Sequence, residues 1–575
     1  MSIVATSRER LRVPGEQLYA VPLLPTAGDD GPAAHLFVER ARAVSAGFDP
    51  GPTERASIAE IVRRLDGLPL AIELAAARLH TLDVDEVAAG LDRRFELLSS
   101  GARTSTRHGS LEAAVAWSYE LLDPDQRRTF TDLCVFTGPF IAEDAAAVCG
   151  IDVGRAGAVL DQLAERSLVT RAPSRQFVLL ETLRAFGSEQ LIADGRFEQA
   201  GERHARHYVE WVEGADRRLL MSAHAIADID AALPELRAAL NWLLDHDEVA
   251  LAGSLVSALT NYGFFRLRPD VLAWAERVVA ADPDDRSPVA PLVWAAGSYA
   301  AWMAGDVGEA GARSIRAVDL GERNDGHVPA EVALVRGNHA LFEGQLADAG
   351  AWYRRAADAA VDEPVELLFA RATELLAMAY AADPEVSERA AALLADLGEA
   401  CTPCAAYVWY CAGEADLTID VERAQARLAR AIELAELTGA SFVTGAAGTS
   451  KASIESRLGD PIVAADDYRR LIDHWRRAGM WSTQWTMLRS IAGLLARLGL
   501  DHDAAVLTGS VLATRAGHRI FGEDEVALAD LGQRLRDRLG DDAYGTALTA
   551  GAALDGDAAV ELALRGHRRR ARPAR

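Results

Sequence analysis

The 575-residue sequence predicts a mostly α-helical, multi-domain chain whose larger part is a stack of helical hairpins. Three observations carry this. Ala, Leu, Arg, Glu and Asp dominate while aromatics are only 6%, and Ala, Leu, Arg and Glu lose little side-chain freedom in a helix. From Ala33 onward apolar residues recur at helical spacing. A small-residue turn then returns at Gly305-Asp306, Gly344-Gln345, Ala382-Asp383, Gly413-Glu414, Gly459-Asp460 and Gly499-Leu500, 31 to 46 residues apart. That interval suits a tetratricopeptide-like array, and six units exceed the roughly three that such an array needs.

In order, Ser2-Ile-Val-Ala-Thr6 reads as a buried strand, Val13-Pro-Gly as a turn and Leu18–Leu24 as a second extended piece. Ala33–Val44 is helical, with Leu36, Phe37, Arg40, Ala41 and Val44 at helical spacing, and Pro50-Gly-Pro52 breaks it. A helix follows to Leu65. Gly67-Leu-Pro-Leu70 is a tight turn feeding a helix over Ala71–Leu79. Helices are expected over Leu111–Leu122, Asp125–Phe136, Glu143–Cys149 and Ala156–Ser167, then short strands at Leu168–Arg171 and Gln176–Leu180, then a helix over Glu181–Ile192. Helices followed by a two-stranded wing make a winged helix-turn-helix. Hairpins occupy about 200 to 563.

The net charge of −25 opposes non-specific binding to nucleic acid. The one basic cluster, from Arg565 to Arg575, is expected to be a solvated tail. Five scattered cysteines form no disulfide framework, and with no signal peptide or apolar span visible the expected location is the cytoplasm, off the membrane. Lys451 is the sole lysine, which reflects codon bias.

The motif order resembles the STAND class of regulators, relatives of the NB-ARC ATPases, and above all the large LuxR-type and SARP-type bacterial transcriptional regulators. Ile3–Glu16 resembles their sensor strand. Leu65-Asp-Gly-Leu-Pro-Leu-Ala-Ile-Glu-Leu resembles their GLPL helix start. Arg107–Leu111, Trp117–Leu122, Val135-Phe136 and Leu180–Arg184 resemble their winged-helix domain, and Ala505–Leu564 their C-terminal stretch. The resemblance implies six parts: a nucleotide-binding remnant (1–31), a helical domain (32–105), a winged helix (106–200), a helical connector (201–285), tetratricopeptide-like repeats (286–564) and a basic tail (565–575). It implies that Arg8 would sense a terminal phosphate and that Pro69 would pack on adenine, both as vestigial contacts.

No Gly-Lys pair occurs in the sequence. The phosphate-binding loop GxxxxGK[ST], whose amides and lysine cradle phosphates, and the acidic strand that holds Mg²⁺ are therefore missing from it. The family's LuxR-type helix-turn-helix is missing too. If Leu179-Leu-Glu181 aligns with a motif in which relatives place a phosphate-contacting histidine, Leu180 has replaced it. No ATP hydrolysis, catalytic residue, metal or bound cofactor is expected; ADP or ATP would be touched only if the missing half-domain were supplied.

The expected role is regulatory, with a protein or small effector bound by the repeats. Two alternatives are a STAND ATPase whose phosphate loop lies upstream of the assigned start or on another chain, and a DNA-binding regulator using the winged helix. The last is disfavoured because Ala156–Ser167 carries two acids against one base. Partner contacts are expected at Trp294, Tyr299, Trp302, Tyr407, Trp409 and Tyr410, aromatics on the first helices of hairpins, although such residues also fill seams between helices. Cys401-Thr-Pro-Cys404 reads as a loop between repeat helices, and His204 and His207 as helix-surface residues.

Overall fold

The computed structural model describes residues 22–28, 31–45, 48–80, 82–91, 111–166, 168–362, 364–514 and 523–568. Arg8, the proposed strand at Ser2–Thr6 and the arginines from 569 onward lie outside them. The architecture is mostly α, as composition and spacing predict. Two compact units are formed, one from 1–208 with 232–242, the other from 209–231 with 243–575.

In the first unit, helices Pro32–Val44, Pro52–Arg64, Pro69–Ala77 and Val84–Gly90 bury Phe37, Ile58, Ile61, Leu65, Ile72, Val87 and Leu91 in one core. Three of them begin on proline, where the missing N–H costs nothing. The segment 22–28 has no regular secondary structure, but it is tied down. Leu24 packs on that core and donates to the Gly67 carbonyl at 3.2 Å.

Leu111–Glu120, Pro124–Asp132, Ala142–Cys149 and Val153–Glu165 precede a two-stranded antiparallel hairpin, Thr170–Arg171 with Phe177–Val178, and helix Glu181–Ala193. Asp123 and Asp152 cap the second and fourth of these helices by accepting from Gln126 and Arg155 amides at 2.8 and 2.9 Å. The order of elements is the one expected for a winged helix.

The second unit is a run of antiparallel helical hairpins from Ala290–Met303 and Val307–Asp325 through to Trp481–Arg497 and Asp501–Ala513. The first helix of most pairs closes the same way. Gly305, Gly344, Ala382 and Gly499 take positive φ. The amide after each returns to a carbonyl five residues back, as in Asp306 to Ala301 and Gln345 to Ala340. Gly413-Glu414 departs from the predicted series, since it lies inside helix Pro403–Asp416. Gly413 is there for packing: a Cβ on it would meet the Leu428 side chain at 2.8 Å. The turn falls at 417–420, fixed by Asp416, which is fully buried and bound by Arg423 and Arg427 at 2.6 and 2.7 Å.

Candidate functional site: the Gly67–Pro69 loop and the inner face of the repeats

Helix Pro52–Arg64 ends in two successive left-handed residues, Asp66 at φ 55° and Gly67 at φ 65°. Only glycine fits the second, because a Cβ there would lie 2.1 Å from the Leu24 carbonyl oxygen. Pro69 then starts its helix with its ring exposed. The turn aims Asp66 away from its own helix. Its carboxylate accepts from the amide and hydroxyl of the fully buried Thr182, at 3.0 and 3.1 Å. An acid from the turn after helix Pro52–Arg64 thus caps helix Glu181–Ala193, at the end where the helix dipole favours negative charge. Burial nevertheless raises the Asp66 pKa, against the pull of the Thr182 amide. The Gly67–Pro69 loop and the start of helix Glu181–Ala193, two stretches singled out in the sequence, meet through this pair.

A second polar centre was not anticipated. His204 and His207 are not surface residues. His204 is 3% exposed, and its Nε2 lies 2.7 Å from Oε2 of Glu235, itself 0% exposed. The other carboxylate oxygen accepts from the Thr137 amide at 2.7 Å, the Thr137 hydroxyl at 3.1 Å and the Gly138 amide. Phe136 stands edge-on to the imidazole at 5.4 Å. His207 pairs with Asp144 at 2.9 Å. The missed signal is the stripe Ala200, His204, Tyr208, three buried residues at four-residue spacing.

Several aromatics of the first repeat helices pack against rings of neighbouring first helices. Trp302 is 4% exposed and stacks on Phe342, centroids 4.8 Å apart and planes 4° from parallel. Tyr407 lies 4.8 Å from Phe369 and 6.0 Å from Tyr410. Tyr299 and Tyr353 share the Asn338 amide, each at 2.8 Å. Tyr299, Trp302, Tyr407 and Tyr410 are buried, and burial pushes all three phenols above their ordinary pKa. Trp294 and Trp409 are half-buried, Trp294 donating to Asp285 at 2.7 Å. Cys401 is exposed, whereas Cys404 and Cys411 are buried in helix Pro403–Asp416. Among the described residues no group of three His, Cys, Asp or Glu could hold a metal, and no helix is long and apolar enough to cross a membrane.

The exposed side of helix Val153–Glu165 presents Arg155, Asp161, Gln162 and Glu165. Arg155 bonds Asp125, Asp161 bonds Arg171 and Gln162 bonds Gln126, at 2.6, 2.6 and 2.7 Å. These polar groups are engaged within the domain.

A Mycobacterium tuberculosis protein provisionally named an HTH-type transcriptional regulator is 33% identical over 294 residues, 48% of this chain and 32% of its own length. The chain is related to these regulators. An uncharacterised M. tuberculosis protein is 35% identical over 215 residues, 36% of this chain and 54% of its own length. The chain thus spans a third to a half of the curated relatives it matches. No family model matches. Among solved structures, the Pyrococcus horikoshii STAND protein with a tetratricopeptide repeat sensor aligns over 94% of this chain and 72% of its own, at 13% identity and a TM-score of 0.42. The relatives' HTH-type name agrees with the STAND-related resemblance carried by the sensor-strand, GLPL and winged-helix motifs.

Proposed function

We propose that this chain is a cytoplasmic, non-catalytic regulatory protein of STAND descent, one that binds a protein or small effector on its helical repeats and neither hydrolyses nor tightly binds ATP by itself. The observation that carries the reading is the repeat array, which packs aromatic side chains of neighbouring first helices against one another. Arrays of this kind offer extended surfaces for recognition. Trp294 and Trp409, half-buried, are the accessible anchors, and the four buried aromatics set the spacing of the helices around them. In this reading Pro69 retains a packing role, with its exposed ring available to a nucleotide only when the phosphate-binding half is supplied.

The test has two arms. Calorimetry with ATP and ADP on the whole chain is expected to show no micromolar binding. A partner captured from host extract should be lost on Trp294→Ala with Trp409→Ala; capture that survives removal of 290–500 refutes the array as the binding surface.

A second reading is favoured by one observation: the chain spans 32% of the length of a related regulator. It would then work as one part of a STAND ATPase whose phosphate loop is encoded upstream or on another chain. An in-frame GxxxxGK[ST] upstream, followed by an acidic strand, would decide for it. DNA reading by Val153–Glu165 has less support, because its polar groups are bonded internally; nanomolar, sequence-dependent binding to duplex DNA would reverse that judgement.

A further inference from the structure

Asp132 ends helix Pro124–Asp132 and is 1% exposed. A buried carboxylate needs a countercharge, and this one draws three. Arg196 Nη1 donates to one of its oxygens at 2.5 Å, and Arg203 Nη2, from helix Phe197–Leu219, stands 3.7 Å from the other. Arg128 lies one turn back on the helix of Asp132 itself. Burial raises the Asp132 pKa, while the charges of Arg196, Arg203 and Arg128 all pull against it. The same three guanidiniums oppose the rise that burial imposes on Cys149, at the end of helix Ala142–Cys149. Three arginines from separate stretches of the first unit thus share one small region.

The region holds more cation than its acids use. Arg196 is well engaged, since it also donates to Asp194 at 3.1 Å and to the Thr131 hydroxyl at 2.7 Å. Arg203 is not. Its approach to Asp132, at 3.7 Å, is too long for a hydrogen bond, and its Nε has no acceptor among the described residues. Its Nη1 sits beside Gly150, where a Cβ would stand 3.3 Å away. Gly150 caps the C-terminal end of helix Ala142–Cys149, a place that suits a cation. That accounts for where Arg203 lies, but not for its spare donors. Arg128 is exposed, and its guanidinium makes no hydrogen bond or ion pair among the described residues. The carboxylate next to Arg203 in sequence, Glu202, is taken up by Arg206 at 3.0 Å. The Arg203 side chain is 27% exposed, so the pair is open to solvent.

We propose that Arg128 and Arg203, steadied by Asp132 and Arg196, form a binding site for a phosphate group on the first unit. The chemistry favours phosphate over a carboxylate. Two guanidiniums have donors to spare, and a phosphate group brings about two negative charges and three acceptor oxygens to both at once. A carboxylate carries one charge and answers one guanidinium. A free phosphate and a phosphorylated side chain present the same group, and the test separates them. The site is independent of effector binding on the repeats and stands or falls without it.

The test titrates inorganic phosphate and, separately, O-phosphoserine into the full chain by calorimetry, in about 0.1 M chloride so that distant surface charge is screened. Saturable binding in the millimolar range or tighter is expected. Arg128→Gln/Arg203→Gln should weaken it at least about tenfold, the scale of one lost charge-assisted hydrogen bond. Arg128→Gln alone alters only an exposed side chain and leaves the fold intact; it should weaken binding at least about threefold. Arg470→Gln, which removes an exposed arginine from the repeats, should change nothing. Tighter binding of O-phosphoserine than of inorganic phosphate assigns the site to phosphorylated side chains, and equal binding assigns it to free phosphate. Absence of saturable millimolar binding of either probe overturns the proposal. So does equal binding by the wild type and the Arg128→Gln chain, or an equal loss in Arg470→Gln, which would reduce the effect to general charge attraction.

Discussion

Replacing Glu235 with alanine should be among the most damaging single changes in the first unit. The side chain is fully buried and satisfies four donors: His204 Nε2, the Thr137 amide and hydroxyl, and the Gly138 amide. At about 1 kcal/mol net per hydrogen bond the loss is about 4 kcal/mol. Thr137 is exposed, so its amide and hydroxyl recover water and return part of that. His204, at 3% exposure, does not. An expected cost of about 3 kcal/mol remains, at the lower edge of the roughly 3–5 kcal/mol seen when a buried pair loses one member. Glu235→Gln keeps an acceptor for the loop amides and should cost about half as much. Native-state hydrogen exchange reads the effect locally, because the Thr137 and Gly138 amides lose their acceptor and the Phe136–Phe140 segment its anchor. Urea denaturation reads it globally. A Glu235→Ala protein within about 0.5 kcal/mol of wild type, with unchanged protection at 136–140, would refute the reasoning, since surface substitutions commonly fall in that range.

Trp475 is fully buried and its indole donates to Thr449 at 3.3 Å, so Trp475→Ala should cost about 3–5 kcal/mol in thermal or urea unfolding of the repeats, and Trp294→Ala much less. Gly67→Ala should loosen the joint between 22–28 and the helical core, since its Cβ would sit 2.1 Å from the Leu24 oxygen at positive φ; a melting temperature lowered by several degrees, with Leu24 more accessible to proteolysis, is the expected result. Asp66 has a native pKa raised above 3.8 by burial, so the native state holds that proton more tightly than the unfolded chain does. Its contribution is therefore lost as pH rises from 3.8 through the native value. Relative to Asp66→Asn, the wild type should lose stability over that window and run parallel above it; melting curves of both proteins at half-unit pH steps would show parallel lines throughout if burial does not act on this group.

The sequence by itself determined the helical class, the helix boundaries to within a few residues, the wing and most of the repeat turns. These are local matters. A proline at the first helical position, a capping Asp and a glycine that can take positive φ act over one turn of chain, and their spacing is written in the sequence. Gly413 shows where that reading stops. A small residue marks either a turn or a close approach of two helices, and only its neighbour Leu428 decides which. His204 shows the same for polar groups: its stripe of Ala200 and Tyr208 put it inside, but its partner lies 31 residues on, beside Pro234 in another helix. The aromatics are the sharpest case. Trp302 and Tyr407 belong to first helices, as their position before a turn predicts. Yet a first helix buries or exposes a ring according to what lies opposite it, and what lies opposite is Phe342, Phe369, Phe264 and Phe442, gathered from across nearly 180 residues. Periodicity fixes the face a side chain takes on its own helix; only the packing of helices distant in the sequence decides what that face meets.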